Sequence, residues 1–156
     1  MSKTYSEKAE ALFKEGCNCS QAVVAAFADE INMDEETALK LASSFGGGLG
    51  RMREVCGAVS GLCMVAGLKY GYSDPGDYNA KKEHYALIRE LSEKFKSETG
   101  SIVCRELLDG TGADSTPTPE ARTETYYKKR PCAELVKLAA EITEEMIQNK
   151  DDSENI

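Results

Sequence analysis

The sequence contains no tryptophan, one histidine, four prolines and few aromatic residues, 7% of the chain. Each shortage removes a class of protein. β-sandwiches and barrels draw on aromatic and β-branched residues, and no stretch here alternates apolar and polar positions as a half-buried strand does. With mid-helix His84 as the only histidine, neither a histidine-rich metal site nor a Cys/His catalytic pair is expected. No apolar run reaches the ~20 residues that cross a bilayer. The longest, Val55 to Leu68, suits a buried helix, so no membrane span is expected. Met1 to Gly16 is rich in Lys, Glu and Ser and has no apolar leader segment, so a cytoplasmic location is expected.

Positive charge is also scarce. A net charge of −8 opposes nucleic-acid binding, which relies on clustered Lys and Arg. Lys81-Lys82 and Lys128-Lys129-Arg130 are read as solvated helix faces or helix ends. The glycine run Gly46-Gly47-Gly48-Leu49-Gly50 lacks the Gly-Lys-Ser/Thr of a phosphate loop and follows no strand, so it is read as a tight or mobile turn.

What the chain does have is Ala, Leu and Val in helical arrangement, within a length of 156 residues that suits one domain. Tyr5, Ala9, Leu12 and Phe13 mark a first helix over 4–15, stopped by Gly16. Asn18 and Gln21 form a capping-box pattern for a second helix from Cys19 to about Ile31. Asp34 caps a third, with Ala38, Leu39, Leu41 and Ala42 inward. A fourth, 56–70, is apolar on nearly every side, and Tyr85, Ile88, Leu91 and Phe95 define a fifth over 78–99. Ser101 caps a short helix through Cys104 and Leu108, residues 109–123 form a surface loop, and Pro131 opens a final long helix carrying Leu135, Val136, Leu138, Ala139, Ile142 and Met146. The expected architecture is all-α: a single-domain helical bundle over residues 1–150 around a central apolar helix, with a frayed tail at 151–156.

Four of the six cysteines, Cys19, Cys56, Cys104 and Cys132, fall in or beside the first turn of an expected helix. Unpaired N–H groups and the helix dipole favour thiolate there, and thiolate is both the nucleophile and the metal ligand. Arg51 and Arg53 precede Cys56, and Arg130 precedes Cys132. These arginines either lower the thiol pKa values further or are plain surface charge. Cys63, two turns beyond Cys56 in the apolar segment, is read as a small buried hydrophobe, and Cys17 as a resolving or spare thiol. Gly57 and Gly61, like Gly67 and Gly71, are four apart and permit close helix approach, with Gly57 also leaving room beside Cys56.

The segments Asn18-Cys19-Ser20-Gln21-Ala22-Val23, Phe45-Gly46-Gly47-Gly48 and Cys56-Gly57-Ala58-Val59-Ser60-Gly61, with Cys104 and Cys132 downstream, resemble the redox-active family named for its C_GCAxxG_C_C signature. The chain reads Cys-Gly-Ala at 56–58 where that name reads Gly-Cys-Ala, and Cys17 and Cys63 are additions to its four cysteines. The resemblance implies a helical protein whose signature cysteines are Cys19, Cys56, Cys104 and Cys132, acting in redox chemistry. A similar motif is associated with split-Soret cytochromes c, but without Cys-x-x-Cys-His covalent haem is not expected.

Three functions follow, in decreasing order of expectation. The first is thiol–disulfide exchange with a redox partner, Cys56 attacking and another thiol resolving. In the second, Cys19, Cys56, Cys104 and Cys132 ligate an iron–sulfur cluster. In the third they hold structural zinc, less expected because closely spaced cysteine pairs are absent.

Overall fold

The computed structural model describes residues 3–154, and among them the chain is all-α, with eight helices and no strand. Thr4 and Glu7 close a capping box on α1 (Tyr5–Lys14), and Asn18 and Gln21 do the same for α2 (Cys19–Ala26). α2 stops earlier than its apolar pattern suggests. Phe27 and Ala28 bond three residues back, at 3.1 and 3.2 Å, and Asn32 turns left-handed at φ 52°, so Phe27 and Ile31 enter the core from turns.

Asp34 caps α3 (Glu35–Ala42), which buries Ala38 and Ala42 four residues apart and leaves Leu41 exposed, contrary to the inward placement expected. One turn of 3-10 helix, Ser43–Phe45, leads into the glycine run. α4 (Gly57–Tyr70) packs on α2, α8 and α5. α2 lies against α1, α3, α4 and α8. α5 (Tyr78–Thr99) ends at Gly100, whose φ of 94° favours glycine, and it buries Leu91 and Phe95 while Tyr85 turns out to meet the Tyr72 hydroxyl at 3.1 Å.

α6 (Cys104–Leu107) has Val103, not Ser101, at its N-cap; the Ser101 hydroxyl accepts from the Val103 N–H at 2.9 Å. α7 (Glu124–Lys129), capped by Thr123, has no counterpart in the sequence reading. It carries Lys128 and Lys129 in its last turn, the helix end expected for that basic group. α8 (Cys132–Glu154) runs along α1 and continues through Asp151–Glu154, where a frayed tail was expected. Asn155 and Ile156, the rest of that expected tail, lie outside the described residues. The largest wholly buried side chains are Phe13, Phe27, Phe95, Leu62 and Leu91.

Candidate functional site

The N-terminal ends of α2, α4, α6 and α8 face one cavity of about 390 Å³, and Cys19, Cys56, Cys104 and Cys132 all line it. Cys17 and Cys63 do not. Local structure explains how distant cysteines meet. The Val55–Val103 bridge, with Cys104 N–H donating to the Glu54 carbonyl at 2.6 Å and Cys56 N–H to that of Ile102 at 2.8 Å, sets Cys56 and Cys104 on adjoining segments. Gly57 lets α4 reach Cys19: a Cβ there would lie 2.8 Å from the Phe45 carbonyl oxygen and 3.2 Å from Cys19 Cβ. Gly61 continues the approach, since a Cβ there would lie 3.0 Å from Val23 Cβ of α2, whereas one at Gly67 would meet only a His84 nitrogen at 4.0 Å. The close-packing reading therefore holds for the first glycine pair and not for Gly67.

The glycine run is a hydrogen-bonded turn. Gly50 N–H donates to Ser44 at 2.9 Å and Glu54 N–H to Gly48 at 2.8 Å. Gly47, Gly48 and Gly50 are left-handed, and so are Leu49, Arg51 and Arg53, at φ 70°, 65° and 62°. A branched or long side chain in that region costs on the order of 1–3 kcal/mol, a strain that concentrates where function fixes the backbone.

The four thiols experience different fields. Cys19 is partly exposed, while Cys56, Cys104 and Cys132 are buried. Hydrogen bonding from the Cys132 thiol is the largest influence on Cys19; with the Gly47 N–H and the Arg122 charge it outweighs burial and lowers Cys19 to about 7. Cys132 is pushed up in return, chiefly by that same bond to Cys19 and by burial. The N–H groups of Ala58 and Val59 do reach Cys56, as its place at a helix N-terminus predicts, but burial and the charge of Cys19 win and raise it to about 12. Burial likewise raises Cys104, although Arg53 Nη1 donates to its sulfur at 3.7 Å.

Arg53 thus serves Cys104, not Cys56. The sequence reading missed Gly47 and Arg122. A run of glycines is a signal for exposed backbone N–H groups, whereas nothing around Arg122 distinguishes it from a loop arginine. Its guanidinium donates to the Phe13 and Cys17 carbonyls at 2.9 and 3.0 Å and lies 4.4 Å from the Phe13 ring centre. Outside the cavity, burial raises Cys63 to about 11, and burial and Glu15 raise Cys17.

Iron–sulfur or zinc binding requires at least three donors round one centre. Among the described residues no three His, Cys, Asp or Glu side chains are gathered in that way. As arranged, the cysteines therefore do not fit a metal centre.

An all-helical chain with four cysteine-bearing helix ends on one cavity is a thiol protein in construction. It belongs to the C_GCAxxG_C_C family, described as "Putative redox-active protein (C_GCAxxG_C_C)", which matches residues 17–146. No curated protein and no solved structure matches the chain. No described helix is long and apolar enough to cross a membrane.

Proposed function

We propose that the protein carries out thiol–disulfide exchange, with Cys19 as the attacking thiol and Cys132 as its resolving partner. The reading rests on the Cys19–Cys132 pair at the cavity, where Cys19 is the residue less enclosed as a whole and the one whose thiol its surroundings lower to about 7. An attacking thiol with a pKa near ambient pH is the most effective one. Cys56, the nucleophile expected from sequence, is buried and held as thiol, so its role is to line the cavity with Cys104. Six cysteines in one short chain suit a reducing compartment such as the cytoplasm, with a redox partner that resets the pair.

Oxidation of the reduced protein with diamide, followed by peptide mapping, tests the reading. A Cys19–Cys132 disulfide that dithiothreitol reverses is expected. Pairing of Cys17 or Cys63 in its place, with Cys19 left free, would overturn it.

A further inference from the structure

Four arginines line the cavity: Arg51, Arg53, Arg122 and Arg130. Two are neutralised by carboxylates. Arg51 meets Asp114 at 3.2 Å, and Arg130 meets Glu120. Arg53 and Arg122 contact no carboxylate among the described residues. Arg53 is only 7% exposed; its Nε donates to the Asp114 carbonyl at 2.8 Å, its Nη1 to Cys104, and its Nη2 is buried without any partner. A buried donor left unpaired costs about 1–3 kcal/mol, more when charged. Two cations without a carboxylate beside a cavity are also unexpected in a chain whose net charge is −8. The cavity, about 390 Å³, falls within the roughly 300–1,000 Å³ of small-molecule sites.

We infer that the cavity takes a small carboxylate-bearing disulfide, its carboxylate held by Arg53 with the Arg122 charge in support, and its sulfur–sulfur bond presented to Cys19. This inference rests on the thiol–disulfide reading above and adds the substrate class. Guanidinium and carboxylate match in planar geometry and charge, and an acceptor oxygen against Arg53 supplies the partner that its Nη2 lacks.

The reaction balances without a further reagent. Cys19 thiolate attacks one sulfur of the substrate, the substrate S–S bond breaks, and the departing thiolate takes a proton from solvent. The Cys132 thiol then loses its proton and attacks the Cys19 sulfur. A Cys19–Cys132 bond forms as the second substrate thiol leaves. One substrate disulfide is reduced to two thiols while two protein thiols are oxidised.

The test uses fully reduced, full-length protein and three disulfides alike around the S–S bond: dithiodipropionate (anionic), hydroxyethyl disulfide (neutral) and cystamine (cationic). The rate of Cys19 loss with each, read by mass spectrometry, is divided by that disulfide's rate with a free reference thiol, which removes leaving-group differences. The expected normalised rate is at least about tenfold higher for the anionic probe than for the neutral one, equivalent to about 1.4 kcal/mol. Arg53→Gln should collapse that ratio to about threefold or less. In case this variant folds poorly, suberate, a dicarboxylate of matching length without sulfur, is added to the natural protein and should protect Cys19 where the corresponding diol does not. Equal normalised rates with no protection by suberate would overturn the substrate class and leave the exchange reading standing. Failure of all three probes to yield a Cys19–Cys132 bond would overturn both.

Discussion

Cys132, at the start of α8, and Cys19, at the start of α2, line the same cavity, and each shifts the other's titration: Cys132 lowers Cys19, and Cys19 raises Cys132. Cys19 is favoured as thiolate and Cys132 as thiol, so one proton serves two sulfurs. In the proposed exchange the Cys19 thiolate attacks and Cys132 resolves the mixed disulfide on Cys19. The pairing depends on the helix ends that bring the two cysteines together, and several substitutions probe those ends.

Asn18 accepts from the Gln21 N–H at 2.9 Å and donates through Nδ2 to the Ser43 carbonyl at 3.1 Å. It therefore caps α2 and ties Cys19 to the 3-10 turn before the glycine run. Asn18→Ala should cost about 1 kcal/mol, the usual value of a lost N-cap. A fall in the urea midpoint checks this, and an unchanged midpoint would show that the cap carries no stability.

Gly57 and Gly67 lie in the same helix but in different surroundings. Gly57→Ala forces a methyl to within 2.8 Å of the Phe45 carbonyl oxygen and should destabilise the fold by about 1–3 kcal/mol. Gly67→Ala meets nothing closer than 4.0 Å and should be neutral or stabilising by up to about 1 kcal/mol. Thermal melts of the two variants compare them directly; equal effects would contradict the close α2–α4 approach.

Partly buried Cys63 and buried Cys56 set the response to alkali. Burial holds Cys63 at about 11 against an ordinary value of 9.0, and Cys56 at about 12. A raised acid pKa means that the fold keeps a proton the unfolded chain releases. The stabilisation from these groups is complete below pH 9, shrinks by up to about 1.4 kcal/mol per pH unit for each group above it, and is gone for Cys63 beyond pH 11. Denaturant midpoints of the reduced protein at about pH 8.5 and pH 10.5 should therefore differ, and Cys63→Ala should reduce the difference. An identical difference in that variant would remove Cys63 from the effect.

Much of the fold was legible because helix ends are written in single residues. Asn18, Asp34, Gly100 and Pro131 mark boundaries that the structure keeps to within a residue. α2 fell short of its pattern because Phe27 and Ile31 are buried by packing from turns, a tertiary effect that local periodicity does not encode. α7 went unassigned because it is short and follows a proline-containing loop. For the candidate site, the placement of Cys19, Cys56, Cys104 and Cys132 at helix starts was readable from the sequence. Which sulfur is activated was not. Each of Cys56 and Cys19 lies at a helix N-terminus, but burial wins at one and the Cys132 thiol wins at the other, and only the folded arrangement sets that balance.

The most direct test of the account is the pH dependence of iodoacetamide labelling, resolved cysteine by cysteine in the reduced protein and in Cys132→Ala. In the natural sequence Cys19 should react first, with its rate half-maximal near pH 7, and in Cys132→Ala that midpoint should move upward because the principal stabiliser of the thiolate is gone. A Cys19 that labels no faster than Cys17 near neutrality, or a midpoint unmoved by loss of Cys132, would contradict the claim that these two sulfurs form the working pair.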